Sequence, residues 1–279
     1  MKIWNGLNDL PYESGRTVIS LGCFDGVHRG HQLLLARLTK VAATEGAKSV
    51  VVTFDPLPAK VLYPETAPVA IMALEDRLSA LEAEGVDAVL VIKYTRDIAS
   101  QPAEDFVAQV FVKSLHAAAV VVGEDCRFGR GRAGNIDTLK GAGLRWNFDV
   151  SVMSDRTAGG VGGRRYSSTW AREALSSGNI GIAEQILGRP HRIRMRATWA
   201  AGSWTTKVGS VRGMLPSTGD YAGWVQMGSG ERSPATIRIP GQAPLVADTV
   251  IELQMPGNQC DGKLSGESQQ IAFDFSSTF

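Results

Sequence analysis

The chain has little of what marks the specialised classes of protein. Its 279 residues hold three cysteines, Cys23, Cys126 and Cys260, far apart and in no CxxC or Cys/His cluster. That excludes a disulfide framework or a zinc ribbon and reads each thiol as a buried small hydrophobe. Neither sign of charge dominates: 29 Lys and Arg stand against 28 Asp and Glu, for a net charge of +1. No basic field is on hand for nucleic acid or an anionic membrane, so phosphate chemistry has to come from local arrangement. No apolar run approaches the roughly 18 residues of a membrane span. The opening MKIWNGLNDLPYESGR has one lysine and no apolar segment, unlike a secretory signal, and the expected location is the cytosol. What is present, 44% hydrophobic and 20% charged residues, excludes disorder as the main state and leaves room for about two domains of roughly 150 residues.

The first two thirds alternate short apolar runs with amphipathic segments. TVISL (17–21), SVVVTF (49–54), AVLVIK (88–93) and AAVVVG (118–123) read as strands covered on both faces. HQLLLARLTKVAATEG, LEDRLSALEAEG and AEDFVAQVFVKSL lie between them as helices, the second closed by Gly85. This alternation predicts an α/β fold, a Rossmann-like doubly wound parallel sheet whose ligand sits beyond the carboxyl ends of its strands. From about His191 the texture changes to short alternating runs, RIRMRATW, YAGWVQM, ATIRI, TVIELQM and QQIAFDF, punctuated by Gly, Pro, Ser and Thr. They predict a small all-β barrel, with domains at 1–187 and 188–279 and the boundary near Gly188-Arg189-Pro190.

The strongest chemical signal is GCFDGVHRGHQLLLARL, from Gly22 to Leu38, which leaves the strand TVISL and opens a helix. Gly26 and Gly30 let a ligand approach the backbone, and helix amides beyond them favour an anion. His28 and His31, three apart, can donate to a triphosphate and to charge that develops during in-line attack on phosphorus. Further on, Ser167, Ser168 and Thr169 precede the amphipathic TWAREAL and supply hydroxyls and an N-cap, with Arg172 one turn into the helix. Plain capping explains the hydroxyls as well as a second phosphate site does. RTAGGVGGRR (156–165) is glycine-rich but lacks the GK[ST] of a phosphate loop and reads as a loop.

These residues carry a family resemblance. HxGH is the signature of a nucleotidyltransferase superfamily, and GCFDGVHRGHQ resembles the bacterial bifunctional riboflavin kinase/FAD synthetases. VVTFDPLP (51–58) resembles that family's TFxPHP segment, VVVGEDCRFG (120–129) its VVGxNFxFG segment and RYSSTWARE (165–173) its SSTxxR motif. The resemblance implies an FMN adenylyltransferase: a phosphate oxygen of FMN attacks the α-phosphorus of ATP, with Mg2+ carried by the nucleotide, giving FAD and pyrophosphate. His28, His31, Ser168, Thr169 and Arg172 would be catalytic, and Gly22, Phe24, Asp25, Gly30, Phe54, Pro56, Asp125, Phe128 and Ser167 would bind substrate. No residue is assigned as a direct metal ligand. Asp25 fits a water-mediated magnesium contact or a turn former, and Phe54, Pro56 and Phe128 fit an isoalloxazine ring or the core.

The chain departs from the family pattern at the flavin end, where Leu57 stands for His and Asp125-Cys126 for Asn-Phe. An amide both donates and accepts, whereas an ionised carboxylate only accepts. The second domain resembles the kinase module through GRPHRIR (188–194), GDYAGWV (219–225), CDGKLSG (260–266) and Glu252 at the place of its catalytic carboxylate. The GFPTAN segment that serves nucleotide and metal in that module has no counterpart, since MLPST alone fills Gly213 to Gly219. The expectation is an adenylyltransferase without riboflavin kinase activity. A cytidylyltransferase-like enzyme for another phosphate monoester, or a non-catalytic flavin or nucleotide binder, remain the alternatives.

Overall fold

The buried strands fix where the site lies. The computed structural model describes all residues except 12–14, 155–159, 162, 201, 229, 242–245, 256–267 and 278–279. Cys260 with CDGKLSG, and half of RTAGGVGGRR (156–159 and 162), therefore lie outside the described residues. The described chain divides into two compact units, Met1–Pro68 with Arg77–Tyr166, and Val69–Asp76 with Ser167–Phe279.

The first unit holds strands β1 (Lys2–Asn5), β2 (Thr17–Leu21), β3 (Lys48–Asp55), β4 (Ala88–Lys93), β5 (Ala117–Gly123) and β6 (Asp149–Met153). They form one sheet in the order β1-β4-β3-β2-β5-β6, with every neighbouring pair parallel. β2 is buried at all five positions, as a central strand with both faces covered must be. Its successor β3 pairs on one side and β5 on the other, so the strand order reverses at the carboxyl end of β2, where open α/β sheets hold ligands. The helices of this part of the chain are α1 (Arg29–Thr44), α2 (Pro58–Leu62), α3 (Leu74–Ala83), α4 (Arg96–Ser100), α5 (Ala103–Phe106) and α6 (Ile136–Trp146). α1 buries Leu34, Leu35, Leu38 and Ala42, one stripe at helical spacing. Gly85 follows α3 at φ 75°, a conformation that glycine adopts without penalty. Beyond α5, Val107–Ser114 winds as a π-helix and buries Val107, Val110 and Phe111. A short ladder, β7 (Gly160–Val161) with β8 (Arg164–Arg165), completes the strands of this unit.

The second unit contains α7 (Ser168–Ser176), α8 (Ile180–Leu187) and strands β9 (Arg192–Ala200), β10 (Ser203–Lys207), β11 (Gly219–Gln226), β12 (Arg232–Ile239), β13 (Val250–Gln254) and β14 (Ser268–Phe275). The strands close a barrel in the order β10-β13-β12-β11-β14-β9. Alternation does the sorting: Ile193, Met195 and Ala197 of β9 are buried inside, while the arginines between them point outward. Asp274 of β14 is buried and accepts from Arg192 Nε and Nη2 at 2.6 Å each and from Arg232 Nη2 at 2.9 Å, tying three strands through one carboxylate. Gly188, where the sequence texture changes, is the left-handed C-cap of α8 at φ 72°. The second unit takes in α7 and α8 ahead of that boundary.

His191 is fully buried, its Nε2 lies 2.7 Å from the Met214 carbonyl oxygen, and its ring stacks on Phe275 at 5.5 Å. Burial lowers its pKa from 6.5 to about 4, with Arg189 pushing the same way against the Met214 contact and the charges of Asp274 and Asp76. The folded chain therefore keeps this imidazole neutral while the unfolded chain protonates it below about pH 6.5. The associated stability is complete above that pH and is lost as pH falls toward 4, in total about 3 kcal/mol. Urea unfolding from pH 7 to pH 4 should show this loss in the native chain, and a smaller one in His191→Gln.

Candidate active site

The residues singled out in the first unit collect at the carboxyl ends of three neighbouring strands. Gly22 to His31 follow β2, Phe54 and Pro56 lie at the end of β3, and Asp125 and Phe128 lie just past β5. The turn after β2 is tightly built. The Gly22 N–H donates to the Val52 carbonyl at 3.1 Å, and the Val27 N–H donates to the Phe24 carbonyl at 3.1 Å. Phe24, Gly26 and Val27 all have positive φ, at 49°, 83° and 37°. A β-branched residue in that region is strained and stays there only if its surroundings hold it. Both Phe24 and Val27 are buried, and Gln32 Nε2 donates to the Val27 carbonyl at 2.9 Å.

The two imidazoles come together on this turn. His28 is the N-cap of α1, and its Nδ1 accepts from the His31 backbone N–H at 3.3 Å. A neutral imidazole that accepts at Nδ1 carries its hydrogen at Nε2, so the cap sets the tautomer and makes Nε2–H a donor. The His28 and His31 rings stack with centroids 3.7 Å apart at 18°, and the Phe24 ring lies 5.0 Å from that of His31. Gly30 makes room for this: a Cβ there would stand 3.2 Å from Cε1 and Nδ1 of His28 and 3.3 Å from the Tyr166 carbonyl. At Gly22 a Cβ would come within 3.1 Å of the Phe24 ring. The sixteen-residue α1 opens at this point, adding the positive end of its dipole.

The flavin-end positions divide. Phe54 and Phe128 belong to the hydrophobic cluster of the sheet, 9% and 7% exposed, with Phe54 edge-on to Tyr94 at 5.3 Å and Phe128 at 6.2 Å from Phe106. Pro56 is exposed. Asp125 is also exposed and accepts from Arg165 Nη2 at 2.7 Å. Cys126 is half-buried; burial, and then the charge of Asp125, push its thiol up to about 11. Cys23 is exposed, which corrects its reading as a buried hydrophobe: it points outward as the chain leaves the sheet. Asp25 is buried. In the second unit Ser167 is the N-cap of α7, its Oγ accepting from the Trp170 N–H at 3.1 Å. Ser168 is half-buried, Thr169 exposed, and Arg172 Nε donates to the Val69 carbonyl at 2.9 Å.

One residue escaped the sequence reading. Arg77 of α3 is 3% exposed, and its Nη1 donates to the Cys23 carbonyl and its Nη2 to the Phe54 carbonyl, each at 3.0 Å. Nη2 also lies 3.4 Å from Asp55 Oδ1. Burial lowers its pKa while the charges of Asp25 and Asp55 oppose that. The sequence offers no mark of it, because an arginine in LEDRLSALEAEG reads as one more exposed charge of an amphipathic helix. Among the described residues no group of three or more His, Cys, Asp or Glu is arranged to hold a metal ion, and no helix is long and apolar enough to cross a membrane.

The family description FAD synthetase matches residues 11–169. A bifunctional riboflavin kinase/FMN adenylyltransferase of Pseudomonas fluorescens is 37% identical over 253 residues, 88% of this chain and 79% of that protein. The protein of the same description from Escherichia coli K12 is 34% identical over 264 residues, 91% of this chain and 82% of its own. A crystal structure described as a macrolide-efflux protein from Streptococcus pneumoniae superposes with a TM-score of 0.80 over 98% of this chain and 88% of its own. At 23% identity it speaks for the fold alone.

The two roles of His28 separate by substitution. Asparagine is a strong N-cap and alanine a poor one, while both remove the ring stack. His28→Asn should be more stable than His28→Ala by about 1 kcal/mol, read from chemical unfolding. Equal stabilities would show that the cap contributes nothing.

Proposed function

The chain belongs to the FAD synthetase family, and from that premise we propose that it transfers AMP from ATP to FMN in the cytosol, without phosphorylating riboflavin. An oxygen of the FMN phosphate attacks the α-phosphorus of ATP. The bond from that phosphorus to the bridging oxygen breaks, and pyrophosphate leaves with the electron pair, so no protein nucleophile is needed. The observation that carries the reading is the stacked His28–His31 pair at the amino end of α1, where the strand order of a parallel sheet reverses. His28 Nε2–H and the His31 ring would donate to phosphate oxygens as charge builds in the transition state. The SSTWAR motif supports hydroxyls of Ser168 and Thr169 and the Arg172 guanidinium acting on the departing pyrophosphate. Magnesium would enter on the triphosphate and share that charge. Of the side chains in the turn Asp25 alone has a carboxylate, which suits it to reach such an ion through water.

FAD formation from FMN, ATP and magnesium, followed by mass spectrometry, tests the reading directly. Both His28→Asn and His31→Ala should lower turnover about 100- to 1000-fold, the usual loss for one transition-state donor. Near-normal turnover in the folded variants would refute the assignment, and faster pyrophosphate release with CTP and another phosphate monoester would favour the cytidylyltransferase-like reading. ATP binding without turnover would favour a non-catalytic binder.

The acceptor end can be tested by restoring the family residues. Asp125 is engaged with Arg165, so Asp125→Asn removes the charge of that pair while giving the amide that the resembled pattern has. If FMN is the acceptor, Asp125→Asn with Cys126→Phe should improve its use, by up to about tenfold for one regained polar contact. Poorer use would point to a pocket built for another acceptor.

In the barrel, Glu252 lies between Thr205 and Arg238 in cross-strand register, with its neighbours Ile251 and Leu253 turned into the core. One carboxylate does not hold and orient a metal–nucleotide complex. Riboflavin with ATP and magnesium should yield no FMN; robust FMN formation that Glu252→Ala abolishes would overturn this part of the proposal.

A further inference from the structure

We propose that Arg77 is a positioning residue for the adenylyl transfer, acting through the Cys23 carbonyl on Phe24, whose tilted ring lies against the stacked His31–His28 pair. The inference rests on the function proposed above and adds a residue that the motifs do not contain. The Cys23 carbonyl is the last backbone group before the chain enters left-handed space at Phe24. It receives two donors, Arg77 Nη1 at 3.0 Å and Thr53 Oγ1 at 3.2 Å. Holding that carbonyl fixes the plane of the peptide that follows, and so the direction in which Phe24 leaves the backbone. Phe24 in turn lies against His31, and His31 on His28. Arg77 Nη2 grips the Phe54 carbonyl as well. One planar guanidinium thus spans the ends of β2 and β3, which a lysine, with its single ammonium, cannot reproduce bidentately. The cation is buried and faces the charges of Asp25 and Asp55, so it is held within a charge cluster and is not a mobile surface group.

The test reads ring position and catalysis separately. The chain has four histidines, His28, His31, His116 and His191, so imidazole signals can be assigned by nuclear magnetic resonance whether or not the enzyme turns over. In Arg77→Lys the signals of His28 and His31 should move while those of His116 and His191 stay. At a temperature where the variant is fully folded, kcat for FAD formation should fall about 10- to 100-fold, with KM for FMN unchanged. In a His31→Ala background Arg77→Lys should cost little further, because the two act on one pathway. Thr53→Val, which removes the second donor to the same carbonyl, should shift the same two signals and lower kcat by less. It takes over every readout if Arg77→Lys does not fold. Unmoved His28 and His31 signals in a folded variant would overturn the proposal, as would full additivity with His31→Ala. Moved signals with unchanged kcat would overturn it too. If the native chain makes no FAD, the adenylyltransferase reading fails by itself, and the ring signals still decide whether Arg77 positions the histidines.

Discussion

The turn between β2 and α1 is held in a conformation that its own side chains resist. Phe24 and Val27 sit at positive φ, a region that costs on the order of 1 to 3 kcal/mol for a non-glycine residue. Everything near them works against that cost. Both side chains are buried, Gln32 takes the Val27 carbonyl, the Gly22 N–H takes the Val52 carbonyl, and the Cys23 carbonyl accepts from two buried donors. The result is a short segment whose geometry is set by the sheet below and the helix beyond it. Two imidazoles on such a segment are presented in a fixed orientation before any ligand arrives, which is the condition for electrostatic preorganisation. The same constraint explains the glycines. Gly30 and Gly22 fit it closely, since a Cβ would press on the His28 ring at 3.2 Å or on the Phe24 ring at 3.1 Å and the ring would have to shift.

Much of this was legible in the sequence, and the reasons for the rest are physical. Buried parallel strands read as continuous apolar runs, so β2, β3, β4 and β5 stand out. β1, β6 and β10 do not, nor do β7 and β8, two-residue strands within the glycine-rich stretch read as a loop. β1 and β6 are edge strands whose lysine, asparagine or aspartate interrupt the apolar signal, and SWTTK of β10 is short and polar. α6 carries Gly141 and Gly143 inside it, which hides its helical period; Gly143 is there because a Cβ would collide with the Phe148 carbonyl. The segment AEDFVAQVFVKSL has the right pattern for a helix, but nothing in it marks the change from α to π winding at Val107. The histidine pair and Ser167 were found because spacing and capping residues are local features. The Cys126 thiol is half-buried, whereas Cys23, two residues from a fully buried strand, is exposed because the chain reverses there. Arg77 was missed because its partners are carbonyl groups far away in the sequence, and carbonyls leave no trace in composition.

The second unit solves a different problem with related means. A closed barrel has no edge to protect, so it can be small, but its strands must be held in register around the full circle. Asp274 does part of this by joining β14 to β9 through Arg192 and drawing in Arg232 of β12. Arg194 of β9 forms a second bidentate pair with Asp76, at 2.7 and 2.8 Å. Charged groups usually left at a surface are here fixed in planar, two-point pairs, where arginine is more specific than lysine. Two of the three arginines of RIRMR, Arg192 and Arg194, are thus committed to carboxylates of the same unit.

The strand order of the barrel also sets when it can exist. β9 is the first barrel strand and pairs with β14, the last of the described strands, between positions 70 to 82 apart in the chain: Arg192 faces Asp274 and Thr198 faces Ser268. The parallel sheet, by contrast, has its sixth strand in place by Met153. A ribosome releases the chain from its amino end, so the whole sheet with its histidine turn emerges long before the barrel can close. Ile193 and Met195 of β9 and Trp204 of β10, buried in the folded chain, depend on that closure for their cover. The barrel therefore cannot close until β14, which sits between β11 and β9, has been made.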